Sequence, residues 1–274
     1  MNEAGRLPSG GDPRSGPDLR HIDRIEILGV SLALQRFDAA IDLLLTTASG
    51  PRSRPYRANF CNVHTIIEAQ SSGRLRAAYE TADMVAMDGA PLVAVSRIRG
   101  RHGERVAGPD VLLKLCDLGR QTGLRHYFFG GRPSVPAALA SSLKDRFPGL
   151  IVAGHESPPF RPVTTEEDTA QVARINAARP DILWVGLGAP KQEIWAADHH
   201  DRLSVGLILP VGAAFDFYSG RIRRAPRWMQ RMGLEWLFRM LADPRRLVRR
   251  YAVTNSKFAW AILREEIQRR RTDP

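Results

Sequence analysis

Only two cysteines, Cys61 and Cys116, occur in the 274 residues. That is too few for a disulfide framework or a closed zinc site, so a reducing compartment is expected. Long apolar runs are missing too. The richest stretches, 127–131 and 205–214, are short and broken by glycine or proline, whereas a membrane-spanning helix needs about 20 apolar residues. The opening MNEAGRLPSGGDPRSGPD has no apolar signal core, and residues 1–20 read as a flexible polar leader on a cytoplasmic protein. No Gly-x-Gly-x-x-Gly opens the first helix, no Walker A lysine follows a glycine loop, and no Asp-x-Asp stands ready to chelate the metal of a nucleotide sugar. These absences disfavour a dinucleotide-dependent dehydrogenase and metal-dependent chemistry, so no metal site and no cofactor are expected. At 43% hydrophobic and 25% charged residues, the composition is that of a globular protein rather than a disordered or collagen-like chain.

Charge of one sign is what the chain has in excess, and it is concentrated. Residues 221–274 hold 14 arginines and one lysine against five acids, a net +10 out of the chain's +11. The preceding residues are therefore nearly neutral. A neutral body with a basic tail points to a polyanionic partner: nucleic acid, an anionic membrane surface, or substrate phosphates.

Apolar runs rich in β-branched residues at 24–28, 58–63, 84–87, 126–129, 150–153, 182–186 and 207–211 alternate with helical patterns at 37–47, 65–80, 91–98, 109–122, 133–146, 165–178 and 190–199. This alternation predicts an α/β protein, Rossmann-like and layered on a largely parallel sheet, over residues 21–220. After Gly220 the chain turns helical, Arg-rich and aromatic, which predicts a C-terminal helical basic appendage over 221–274. Prolines at 91, 109, 133 and 190 and the Thr164/Thr165 pair mark helix starts.

Open α/β sheets place their ligands at such strand-to-helix turns. Gly186-Leu187-Gly188-Ala189-Pro190-Lys191-Gln192 is a strand end, a glycine turn and a helix start with Lys191 in its first turn, an arrangement suited to an anion. Phe129-Gly130-Gly131-Arg132-Pro133 repeats it. Asp88 follows the apolar strand at 84–87, where partial desolvation would raise a carboxylate's basicity. Judged by residue type alone, capping the helix near Pro91 is the commoner role for such an aspartate. The scattered histidines, His64 and His126 among them, read as surface or core residues.

Taken together, Asn62-Val63-His64-Thr65, Ala82 through Gly89, Glu104 through Asp110, Phe129-Gly130-Gly131, Gly186 through Glu193, Val211 through Phe217 and Arg224-Ala225-Pro226-Arg227-Trp228 resemble the WecG/TagA/CpsF glycosyltransferases, in order, from about residue 25 to about 261. The resemblance implies inverting, metal-independent transfer from a UDP-sugar (N-acetylmannosamine, its uronate, or a glucose-like sugar) to an undecaprenyl-diphosphate-linked acceptor. The setting it implies is surface or exopolysaccharide synthesis, peripheral to the inner face of the cell membrane. It makes Asp88 the base. Asn62, Arg105, Gly130, Gly131, Gly188, Lys191 and Gln192 would line the sugar and phosphate pocket, Asp216 would lie near the nucleoside, and Arg239, Arg246 and Arg249 would close over the site. The chain departs from the family pattern at Phe60, where many members carry threonine, and at Glu156 to Phe160. Against this reading stands a basic-tailed nucleic-acid-binding protein; the resemblance leaves nucleic acid disfavoured as a partner.

Overall fold

The computed structural model describes residues 22–51 and 53–272, so the leader expected at 1–20 lies outside the described residues. Eight strands, β1 (Arg24–Ile27), β2 (Val30–Ala33), β3 (Tyr56–Cys61), β4 (Met84–Met87), β5 (Arg125–Gly130), β6 (Ile151–Glu156), β7 (Ile182–Gly186) and β8 (Leu207–Pro210), form one sheet in the order β1-β2-β4-β3-β8-β7-β5-β6. All neighbouring strands run parallel except the β1–β2 hairpin. The expected α/β architecture is therefore present.

Between and after the strands come α1 (Phe37–Ser49), α2 (Val63–Ala69), α3 (Gly73–Glu80), α4 (Ala90–Ile98), α5 (Gly108–Leu118), α6 (Val135–Arg146), α7 (Thr165–Ala177), α8 (Lys191–Asp198) and the short α9 (Ala214–Tyr218). Because side chains alternate across a strand, each strand feeds two layers. Met84, Ala86, Trp184 and Leu209 pack on one face with Leu44 of α1, Leu112 of α5 and Leu139 of α6. Val85 and Met87 pack on the other with Ile66 of α2, Leu75 of α3 and Leu92 of α4, as do Leu183 and Val185 with Ile175 of α7 and Ala196 of α8. Each fully buried large side chain contributes roughly 1.5–3 kcal/mol. His126 belongs to this core: its Nδ1 accepts the Trp184 indole N–H at 3.0 Å, and burial pushes it down to about 3.

Several elements differ from the sequence expectation: the helix expected over 109–122 ends at Leu118, and the strand expected over 150–153 runs on to Glu156. The hairpin turn at Leu28-Gly29, both with positive φ (49° and 71°), folds the chain back into β2, a strand between β1 and β4 that the pattern does not reveal. The helix expected over 65–80 is two: α2 ends at Ala69, and Ser72 caps α3 by accepting the Leu75 N–H. β3 begins and ends two residues earlier than expected, since Asn62 is already the cap of α2.

The C-terminal region is helical, as expected: α10 (Arg227–Arg231), α11 (Glu235–Ala242) and α12 (Pro244–Thr272). It does not stand apart from the sheet. Phe258 of α12 joins the core beside α2 and α4, with Ile262 packed against it. Farther along, Glu265 accepts the Leu28 N–H at 3.0 Å, and the Arg99 guanidinium, almost wholly buried, pairs with both Glu265 and Glu266. Trp228 and Trp260 remain 59% exposed, the latter with Arg264 stacked over its ring. No described helix is long and apolar enough to cross a membrane.

Candidate active site

The carboxyl ends of the central strands open into one cavity of about 1320 Å³, roofed in part by α11 and α12. β3 delivers Asn62, β4 delivers Asp88, β5 delivers Gly131, β7 delivers Gly188, Lys191 and Gln192, and α9 after β8 delivers Asp216. These residues are far apart in sequence. The parallel sheet brings them together because every crossover returns the chain to the same edge.

Asp88 does not cap α4. The cap position is Gly89, without a side-chain hydrogen bond, and the Asp88 carboxylate turns instead toward Arg105. Its backbone N–H donates to the Cys61 carbonyl at 2.8 Å, which extends the β3–β4 ladder one residue and fixes the side chain at the sheet edge. The side chain is 19% exposed. Burial pushes it up to about 7, against the opposing pull of Arg105. A carboxylate with that proton affinity suits general-base work near neutrality.

Arg105 donates through Nε to the Asp88 carbonyl at 3.0 Å, while its Nη2 stands 3.5 Å from the Asp88 carboxylate and 3.0 Å from that of Glu235. Its Nη1 makes no hydrogen bond among the described residues, and the residue lines the cavity. Asn62 spends its Oδ1 on the N–H groups of His64 and Thr65 in a capping box, so its role is first to seat α2.

The two glycine turns do different jobs. Gly130, at φ 125°, lies where β5 touches β7, and a Cβ there would stand 2.6 Å from the Gly186 carbonyl carbon. Gly188, at φ 80°, faces open space and donates its N–H to Gln192 Oε1 at 3.1 Å. Gln192 in turn donates through Nε2 to Glu193 Oε1 at 2.9 Å. Gly131 and Lys191 line the cavity beside them.

Asp216 pairs with Arg221 at 2.9 Å and borders the cavity. Arg239 lines it too, its guanidinium 5.5 Å from the centre of the Phe217 ring. Arg249 is exposed on α12 and is not among the cavity's lining residues; its neighbour Arg250 is. The Arg246 side chain lies outside the described residues.

Three participants receive no site role from the sequence, although His64 and Arg224 stand within the motifs named above. Glu235 opens α11 and reaches across to Arg105, while Arg224 bridges Glu235 and Asp110. His64 borders the cavity with its Nδ1 buried and unpartnered, and its pKa is lowered by burial and then by Arg250. Helix periodicity marks none of them, because each acquires its neighbour only through tertiary packing.

Residues 25–272 match the model of the Glycosyl transferase WecG/TagA/CpsF family. The chain belongs to that family. An N-acetylglucosaminyldiphosphoundecaprenol N-acetyl-beta-D-mannosaminyltransferase of Bacillus spizizenii (strain W23) is 32% identical over 201 residues, covering 73% of this chain and 75% of the relative. The protein with the same name from Bacillus subtilis (strain 168) is 28% identical over 187 residues, covering 68% and 70%. This WecG/TagA/CpsF member is thus a glycosyltransferase, and the cavity at the strand ends is its candidate active site.

Proposed function

We propose that this glycosyltransferase moves a hexose-type sugar from a UDP-sugar onto an undecaprenyl-diphosphate-linked acceptor, inverting the anomeric centre without a metal ion, in the synthesis of a surface polysaccharide. The observation that carries the reading is Asp88: a desolvated carboxylate, raised to about 7, beside the guanidinium of Arg105 at the strand ends. One such base suffices for inversion. The acceptor hydroxyl oxygen bonds to the anomeric carbon as its proton passes to Asp88. The bond from that carbon to the diphosphate oxygen breaks, and the nucleoside diphosphate leaves with the electron pair. General-base help of this kind contributes typically about 10²–10⁴-fold. Arg105, Lys191, the Gly188 turn and Arg239 offer donors and positive charge to the departing diphosphate. The names of the two relatives support the lipid-linked acceptor and a mannosamine-type donor. The cavity volume exceeds the ~300–1,000 Å³ usual for one small ligand, which leaves room for donor and acceptor together.

Residues 221–274 serve in this reading as the part that meets the inner face of the membrane. Val253, Trp260, Leu263 and Ile267 fall on one exposed stripe of α12, near Arg264 and Arg269 to Arg271. An apolar stripe flanked by arginines suits an anionic lipid surface, where each basic residue contributes about 1 kcal/mol. A nucleic-acid backbone has no use for the stripe. The test is release of UDP from a panel of UDP-sugars, with and without an N-acetylglucosaminyl-diphosphate lipid. One sugar is expected to give acceptor-dependent release that survives chelation; no release from any UDP-sugar would end the proposal.

A further inference from the structure

Five charged side chains form a chain of alternating sign: Asp88, Arg105 and Glu235, which line the cavity, then Arg224 and Asp110 beyond them. Arg105 Nη2 is 3.5 Å from Asp88 Oδ1 but 3.0 Å from Glu235 Oε2. Arg224 donates through Nε to Glu235 Oε1 at 3.1 Å, and through Nη1 to Asp110 Oδ1 at 2.5 Å and to the Tyr218 hydroxyl at 2.7 Å. Glu235 is 14% exposed, and Arg224 alone already supplies it with a counter-charge. Its second contact, to Arg105, therefore has a consequence beyond holding α11 in place.

A guanidinium left beside one carboxylate closes on it to about 2.7–2.9 Å and holds it ionised and weakly basic. At 3.5 Å, Arg105 has not done so with Asp88. We infer that Glu235 is a positioning residue for the base: by engaging Nη2 of Arg105 it keeps that guanidinium off the Asp88 carboxylate, which so retains its affinity for a hydroxyl proton. The inference rests on the assignment of Asp88 as the base. Of the charged groups facing Asp88, Arg105 and Arg224 favour its ionised form, whereas Glu235 and Asp110 oppose it and reinforce the effect of burial. Loss of the Glu235 charge acts twice in one direction. It removes an opposing negative charge, and it releases Arg105 to close on Asp88. Since Glu235 arrives on α11, the base reaches its working strength only with the C-terminal helices seated.

The experiment compares full-length wild type, E235Q, E235D and D88N for kcat against pH with a short, water-soluble sugar-diphosphate acceptor, each first checked for folding by circular dichroism. E235Q is expected to move the acidic limb of the profile down by about one pH unit and to lower the plateau by roughly 3- to 30-fold, as a weaker base should. E235D keeps the charge one methylene farther away, and its limb is expected between the other two. A folded E235Q with its limb at the wild-type pH overturns the inference. If E235Q does not fold, an E235D limb at the wild-type pH overturns it. D88N separates this from the underlying reading: a D88N protein with wild-type kcat refutes the base itself, whereas an inactive D88N with an unshifted E235Q limb refutes only the role of Glu235.

Discussion

Gln192 is held so that its amide has one orientation: Oε1 accepts the Gly188 N–H at 3.1 Å, and Nε2 donates to Glu193 Oε1 at 2.9 Å. A backbone N–H can only donate, so the amide oxygen must face Gly188 and the amide nitrogen must face Glu193. What remains for a ligand is the second N–H of Nε2, a donor suited to a phosphate or carbonyl oxygen. Glu193 sits beneath it, buried and raised to about 7, with its Oε2 unpartnered.

Reversing that amide's chemistry should therefore be worse than deleting it. Gln192→Ala loses one hydrogen bond to a charged ligand, about 1.5–3 kcal/mol or roughly 10- to 100-fold in UDP affinity. Gln192→Glu loses the same donor and also sets a second carboxylate against Glu193. Calorimetric titration with UDP should rank wild type above alanine and alanine above glutamate. Wild-type affinity in Gln192→Glu would show that the amide does not face the nucleotide.

Asp88 should cost the protein stability while giving it activity. Its folded pKa, about 7, stands above the ordinary carboxylate value of 3.8. The folded state thus binds this proton more tightly than the unfolded state does. The associated stability is complete below about pH 4 and is lost as pH rises through 7. Asp88→Asn should accordingly melt higher than wild type at pH 8 and converge with it near pH 4, while turnover falls by at least ~10²-fold. Melting curves at the two pH values decide it: a lower melting temperature for the variant at pH 8 would contradict the desolvated-carboxylate picture.

The far end of α12 depends on one guanidinium. Arg99→Ala leaves Glu265 and Glu266 without their shared partner and also removes the N–H donor to the Glu26 carbonyl. The two glutamates keep some access to water, so the expected loss is ~1–3 kcal/mol rather than the larger cost of stranding a fully buried charge. Limited trypsin digestion should cut the variant faster at Arg264 and Arg269 to Arg271 than the wild type. Equal rates would mean that Phe258 and Ile262 hold the helix without help.

The sheet and the position of Asp88 were legible in the sequence because apolar strands and glycine turns are local patterns. Asp88 stands one residue beyond a strand of four buried side chains, and position alone makes it conspicuous. Leu28-Gly29 did not signal its turn, since leucine with positive φ replaces the usual asparagine and the strand that follows has only four residues. Ser71-Ser72-Gly73 did carry a signal for the break between α2 and α3, a serine cap before glycine, but the apolar spacing runs through it. Glu235 illustrates what one sequence cannot give. It lies 130 positions from Arg105, on α11, which packs against α12, the helix anchored by Phe258 in the core and by Arg99 at the sheet's far edge.

A single unbroken helix carries both halves of the proposed task. Tyr251, Thr254, Asn255 and Phe258 of α12 border the cavity, and the stripe from Val253 to Ile267 looks outward from the same rod. At 1.5 Å per residue, its 29 residues span about 43 Å with no hinge between the two sets. The angular phase of the helix therefore sets how the catalytic opening is aimed at whatever surface the stripe rests on. One residue inserted after Phe258 would turn Trp260, Leu263 and Ile267 of the stripe by about 100° relative to the cavity, so the spacing along this helix works as an alignment gauge, independent of the identity of the residues that fill it.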